Sequence, residues 1–337
     1  MSYTRTPQPI VSKSCETLVS KCEIPIIDLA HMGTEPCPQK GVVKQVAKKL
    51  VRALSEKGLA LLVNHGIPDW KIKAAYRALD TFCELPKEAR AKFECVAPSS
   101  HGYIKPEPGT NPTDEIEARH EFIISGNDTE LPDEDVPNFR SAVEELTSDF
   151  KQLSAMLLTA LAVGMEQPSD YFMSKHSNLL DSGNSSSFRM IYYPPAVLSE
   201  SGAMRYGPSC DTGTFTLLTQ DCENGLEIQS PYGERWGRVG HLPGAILINS
   251  GDCLAKWTNQ QLSSLKHRVV VPEHCSRGRH SIGFFVQPDE NVEIEPLKTK
   301  ISIPPQEPVI CRLQKKKRGV LTAYHHLQRR FRETYAS

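Results

Sequence analysis

Four polar residues stand at the ends of short apolar runs and carry the chemistry this sequence offers. Asp211 follows Ser209-Cys210 within the run 205–221, His267 lies in 264–271, and Arg279-His280-Ser281 opens 279–286. Carboxylate and imidazole are ligands for first-row transition metals, and a guanidinium is a planar fork of donors suited to a carboxylate. Arg279 and Ser281 are two residues apart, so on a strand they face the same way. Burying such groups without partners is costly, and their recurrence beside apolar runs reads as a site more than as a core. The bland alternatives are an Asp211 that stabilises a turn, a hydrogen-bonded core His267 and a surface salt bridge at Arg279.

The ordered set resembles the non-haem iron oxygenases of the isopenicillin N synthase type, most of which use 2-oxoglutarate. Their signature is His-x-Asp on one strand, a distant second histidine, and Arg-x-Ser shortly after it. Here 55 residues separate Asp211 from His267, and Arg279-His280-Ser281 follows. Family phrases also appear at Ile24-Pro25-Ile26-Ile27-Asp28-Leu29, Asn64-His65-Gly66-Ile67, Gly225-Leu226-Glu227-Ile228 and 243–249. The resemblance runs over residues 22–335 and implies a double-stranded β-helix, or jelly roll, with Asp211 and His267 as ligands of Fe(II). It implies that Arg279 and Ser281, with Tyr193, grip the distal carboxylate of 2-oxoglutarate; Tyr193 could equally be a packed aromatic.

Two positions depart from the family. Ser209 stands where the first histidine belongs, and Ile191 where many plant members have asparagine. A neutral hydroxyl is a poor iron ligand, and loss of even an outer-shell partner typically costs about 10- to 100-fold in metal affinity. Water, Cys210, His241 or His280 are candidate substitutes, although alternation along a strand turns Cys210 and His280 away from the face that carries Asp211 and Arg279. Two functions follow from the resemblance. One is an oxygenase that hydroxylates or desaturates a small organic substrate; the other is a binding protein that keeps the carboxylate clamp without redox chemistry.

The elements that must position these residues are legible in outline. Apolar residues at 42, 43, 46, 47, 50, 51, 53 and 54 predict a helix stopped by Gly58, and a second runs from Trp70 to Cys83. The longest helical pattern spans Phe139 to Val163, with Gly164 as its expected cap and a short helix beginning at Tyr171. After the turn-rich 181–187 come β-leaning runs at 188–193, 214–220, 226–229, 245–249, 268–271 and 281–286. Such spacing predicts a sandwich or barrel. The fold expected is therefore mainly β with flanking helices. Its parts are an irregular arm at 1–20, an N-terminal helical region at 21–140, bracing helices at 141–183, a jelly-roll core at 184–290 and a C-terminal helical segment at 291–337.

Composition sets the remaining bounds. The 337 residues carry 39 Lys and Arg against 40 Asp and Glu, so no global charge calls for nucleic acid or a membrane surface. The basic runs 315–318 and 329–332 read as a solvated helix face in preference to a nuclear signal. Ten cysteines show no Cys-x-x-Cys pair, which argues against a zinc ribbon or disulfide framework. With no apolar segment long enough to span a bilayer and no signal-peptide pattern, a reducing cytoplasm is expected, and the sequons at Asn127 and Asn184 idle.

Overall fold

Alternation along one strand divides the molecule. On β13 (Arg279–Val286), Arg279, Ser281 and Phe285 line a cavity, while Ile282, Phe284 and Val286 are buried in an apolar core on the other side. In the computed structural model, residues 15–16, 24–30, 32, 40–96, 101–106, 119–126, 128–195, 204–229, 235–272, 277–297 and 321–335 are described. The eight-stranded sheet around β13 runs in the order β2 (Ile26–Asp28), β3 (Leu59–Val63), β11 (Ile246–Ser250), β8 (Phe215–Gln220), β13, β6 (Ser187–Tyr193), β5 (His120–Ile124), β4 (Gly102–Ile104). The second sheet has five strands: β1 (Cys15–Glu16), β10 (Trp236–Arg238), β9 (Leu226–Gln229), β12 (Lys266–Val270) and β7 (Met204–Cys210). Leu226, Ile228 and Val269 from the smaller sheet share one apolar cluster with Leu59, Tyr193 and Leu247 from the larger. The sheets thus close face to face as a jelly roll, and the cavity lies between them.

Helices cover the outer face of the larger sheet. α1 (Lys40–Glu56), α2 (Asp69–Glu84) and α3 (Lys87–Ala91) precede the strands β4 and β5, and α4 (Phe139–Gly164) follows them. The α4 ring of Phe150 lies 6.0 Å from that of Phe188 and 5.7 Å from that of Phe284, which seats the helix on β6 and β13. Fully burying a side chain of this size stabilises by about 1.5–3 kcal/mol. Gly164 proves to be a contact point rather than a cap: a Cβ there would lie 2.5 Å from Val51 Cγ2 and 2.8 Å from the Ala47 carbonyl oxygen on α1. Gly164→Ala is accordingly expected to destabilise by about 1–3 kcal/mol through overpacking. Urea unfolding would show it, with 2-oxoglutarate affinity unchanged because the cavity is on the other side of the sheet.

Other expectations need adjustment. The helix predicted from Tyr171 is a single 3-10 turn, Met173–Lys175. The strands β7 and β10 and the helix α5 (Asp252–Trp257) are absent from the predicted set. The C-terminal helix α6 spans Ala323–Tyr335, and the loop residues 107–114, Asn127 and the basic run 315–318 lie outside the described residues. Asn184 is buried and donates to the Gln287 carbonyl and to Asp289, so it is unavailable as a glycosylation acceptor. No helix among the described residues is long and apolar enough to cross a membrane.

On the outer face of β13, His280 pins α2 to the sheet. Its Nε2 lies 2.6 Å from Asp80 Oδ1 on α2 and its Nδ1 3.3 Å from Asp221 Oδ2, and the Tyr192 ring stacks on it at 4.7 Å. Burial alone would depress its pKa, but the two carboxylates overcome that and raise it to about 9. A raised folded pKa contributes stability that is whole below the unfolded value near 6.5 and fades as pH rises through about 9. Thermal melts should therefore show a wild-type advantage over His280→Gln at pH 6 that shrinks by pH 10; an advantage constant across that range would refute the ion-pair account.

Candidate active site

Asp211 sits in the turn between β7 and β8, and α5 holds that turn in place. The Asp252 amide donates to the Asp211 carbonyl at 2.8 Å, and the Cys253 amide to the Gly213 carbonyl at 3.1 Å. A Cβ on Gly251 would collide with the Gly213 carbonyl oxygen, so glycine is what permits this close approach. The carboxylate is oriented from its other side: Thr216 Oγ1 on β8 and Asn249 Nδ2 on β11 donate to Oδ2 at 2.6 and 2.7 Å. Oδ1 faces His267 Nε2 at 3.7 Å. Two metal bonds of about 2.1 Å span at most about 4.2 Å, so these two donors can meet on one ion.

His267 is prepared as a ligand. Its Nδ1 lies 3.2 Å from the Leu265 carbonyl, an acceptor only, so Nδ1 carries a proton and Nε2 is the nitrogen turned toward Asp211. Directly across the strand pair from His267 is Ser209. The Ser209 side chain is hydrogen-bonded to the phenol of Tyr206. None of the three candidate side chains lines the cavity. Cys210 pairs with Lys266, one residue off the inward register; His241 bonds the Gln220 carbonyl at 3.0 Å; and His280 is held by Asp80 and Asp221 on the far face of β13. Among the described residues no group of three or more His, Cys, Asp or Glu is placed to hold a metal.

Arg279 is the most telling side chain. It is only 2% exposed, its Nη1 donates to Ser281 Oγ at 3.2 Å and its Nη2 to Gln220 Oε1 at 3.1 Å, both neutral acceptors. Among the described residues its buried Nε has no hydrogen-bond partner, and no carboxylate forms an ion pair with it. A buried cation without a counter-ion is costly, and the arrangement calls for an anion. Tyr193, buried and paired with Arg279 across β6 and β13, holds its ring 5.4 Å from the guanidinium. Tyr193, Arg279 and Ser281 thus lie side by side on β6 and β13 and line one cavity.

All six sequence-predicted positions lie on or beside one cavity. Tyr193, Asp211, His267, Arg279 and Ser281 line it; Ser209 sits just behind, through Tyr206, which does line it. The space measures about 760 Å³ including its open mouth. Leu218, Leu226, Ile228, Leu247 and Val269 make it largely apolar. In the same lining, the buried Glu121 is flanked by Arg119 and Arg189, each at 3.3 Å, and Arg189 lies 4.5 Å over the Phe285 ring. Thr216, Asn249, Gln220 and this Arg119–Glu121–Arg189 wall escaped the sequence reading. Their one signal is a polar residue interrupting an apolar strand, as Asn249 does after Ile246-Leu247-Ile248.

The comparisons with known proteins agree with this geometry. Residues 24–143 match the model of the non-haem dioxygenase in morphine synthesis N-terminal family, and residues 184–288 that of the 2OG-Fe(II) oxygenase superfamily. Proline hydroxylase buaE of Petromyces alliaceus is 31% identical, the match covering 85% of this chain and 92% of that protein. Among solved structures, a full-length Neurospora crassa protein in complex with alpha-KG and thymine superposes with a TM-score of 0.76 at 23% identity, over 95% of this chain and 100% of that one. Rice dioxygenase for auxin oxidation gives 0.70 at 20% identity, over 94% and 96%. The chain belongs to the 2OG-Fe(II) oxygenase superfamily. Its homologues are 2-oxoglutarate- and Fe(II)-dependent dioxygenases, and the cofactors of this class are Fe(II) and 2-oxoglutarate.

The residues fit those cofactors unequally. The orphaned Nε of Arg279 and its neutral neighbours fit the distal carboxylate of 2-oxoglutarate. Asp211 and His267 fit a divalent iron, whereas Ser209, a neutral oxygen engaged by Tyr206, does not supply a second imidazole.

Proposed function

We propose that this protein is a 2-oxoglutarate- and Fe(II)-dependent oxygenase that hydroxylates or desaturates a small organic substrate. The observation that carries the reading is a buried guanidinium that forms no ion pair among the described residues, opening into the same cavity as an oriented carboxylate and an imidazole turned toward it. Bound Fe(II) with 2-oxoglutarate supplies oxygen activation coupled to loss of carbon dioxide from the cosubstrate. Arg279 and Ser281 would fix the distal carboxylate in a two-pronged grip. Thr216 and Asn249 keep Asp211 in one orientation, so the carboxylate need not reorganise when a metal arrives. The apolar walls exclude water from the reacting space, and Phe285 with the Arg119–Glu121–Arg189 wall would meet the substrate. The thymine held by the Neurospora neighbour supports a substrate of that size class.

One observation favours a second reading, a ligand-binding protein without turnover: the position expected to give a second imidazole gives Ser209, hydrogen-bonded to Tyr206. Succinate release from 2-oxoglutarate separates the two. The oxygenase reading expects iron-dependent release in the wild type above that of Asp211→Asn; release that appears only in Ser209→His would leave the binding protein standing.

A further inference from the structure

One cation of the cavity wall belongs neither to the Arg279 clamp nor to the Asp211–His267 pair. Arg189 lies on β6 four residues before Tyr193, and alternation puts both, with Ile191 between them, on the cavity face. Arg189 Nε donates to Ser187 Oγ at 3.1 Å, and the guanidinium lies 4.5 Å over the Phe285 ring. Gly283 makes room for that ring, because a Cβ there would come within 2.8 Å of Phe285 Cε2. Across the next strand pair Phe285 is the partner of Thr216, which donates to Asp211 Oδ2 at 2.6 Å. Contacts thus run from Arg189 through Phe285 and Thr216 to the metal-ligand pair. Arg279 is anchored elsewhere, at Ser281, four residues from Phe285 along β13 and so about 13 Å away.

Arg189 is only partly neutralised. Its Nη1 donates to Glu121 Oε1 at 3.3 Å, but the buried Glu121 turns Oε2 to Arg119, also at 3.3 Å, so one carboxylate is divided between two guanidiniums. Among the described residues no hydrogen bond engages Arg189 Nη2. Such a donor, planar, charged and set in a largely apolar wall, is suited to a carboxylate. Resting on the oxygenase reading of the same cavity, we propose that the prime substrate is a small organic acid with an apolar body, its carboxylate bound by Arg189 and its apolar part against Phe285. The five-carbon chain of 2-oxoglutarate is shorter than the stretch of β13 between the two anchors, so cosubstrate held at Arg279 leaves Arg189 for a second anion. Arg189 then decides which substrates enter and how they lie beside Asp211 and His267.

The test compares acids with their own amides by calorimetry, on the full chain saturated with Mn(II) and 2-oxoglutarate at pH 7. Benzoate and benzamide, phenylacetate and phenylacetamide, and hexanoate and hexanamide share a shape and differ in charge. At least one acid should bind about 10-fold or more tightly than its amide, the difference a charged hydrogen bond makes. Arg189→Gln should erase that preference and leave the amide and 2-oxoglutarate affinities unchanged, whereas Arg189→Lys, with the charge but not the fork, should retain part of it. No preference in any pair, or a preference that survives Arg189→Gln, overturns the assignment and leaves the oxygenase reading intact. Weakening of 2-oxoglutarate itself in Arg189→Gln also overturns it, by giving Arg189 to the cosubstrate. Should Arg189→Gln fail to fold, Arg189→Lys decides, and a preference equal to that of the wild type overturns the proposal. If the wild type binds neither Mn(II) nor 2-oxoglutarate, the oxygenase reading falls, and the same pairs titrated into the chain alone judge Arg189 by the same criteria.

Discussion

Arg279→Ala is expected to weaken 2-oxoglutarate binding by about 100- to 1,000-fold. Hydrogen bonds to charged groups contribute about 1.5–3 kcal/mol each, and a two-pronged grip makes two of them. Two such bonds sum to about 3–6 kcal/mol, and the lower half of that sum, about 3–4 kcal/mol, corresponds to two to three decades at about 1.4 kcal/mol per decade. The geometry argues for the upper part of that range. Arg279 is 2% exposed, so water cannot substitute for it, and its fork is already aimed by Ser281 and Gln220. Arg279→Lys keeps the charge and loses the fork, and should fall between. Calorimetric titration with 2-oxoglutarate measures all three; wild-type-like affinity in Arg279→Ala would place the cosubstrate elsewhere.

The second large effect concerns Asp211. Asp211→Asn keeps the shape and two hydrogen-bonding neighbours but removes the only carboxylate that faces His267 among the described residues lining the cavity. Glu121, the other carboxylate there, is already flanked by Arg119 and Arg189. Outer-shell losses typically cost about 10- to 100-fold in metal affinity, so removal of a charged ligand should cost about 100-fold or more. Mn(II) titration followed by paramagnetic resonance would show it. A smaller loss, under about 10-fold, would mean that Asp211 serves the turn and not a metal.

How much of this was legible in the sequence depended on periodicity. α1, α2 and α4 announce themselves by apolar spacing because each buries one continuous face. β13 is legible twice over, by its β-branched and aromatic content and by Arg279 and Ser281 sharing a face. β7 is not legible, because Gly207 and Pro208 break the alternation where its pairing with β12 shifts register, and that same break conceals the inward turn of Tyr206. α5 spans six residues, too short for a period to show, yet its amides hold the turn that carries Asp211. Gly164 illustrates a local signal with a tertiary cause: a glycine at a helix end reads as a cap, and here it is where α4 meets α1. Thr216, Asn249 and Gln220 act on Asp211 and Arg279 from strands distant in sequence, a relation that closure of the sheets creates.

The predictions for Arg279 and Asp211 rest on one claim: a metal held by Asp211 and His267 and a dicarboxylate held by Arg279 occupy one cavity together. Coupling between sites is reciprocal, so each ligand should tighten the other by the same factor. The direct measurement is an anaerobic calorimetric titration of 2-oxoglutarate into the full chain with and without Fe(II). One-to-one binding that tightens several-fold with iron, with the tightening lost in Asp211→Asn and the binding itself lost in Arg279→Ala, is the predicted result. Binding of 2-oxoglutarate that ignores iron and survives Arg279→Ala would contradict it.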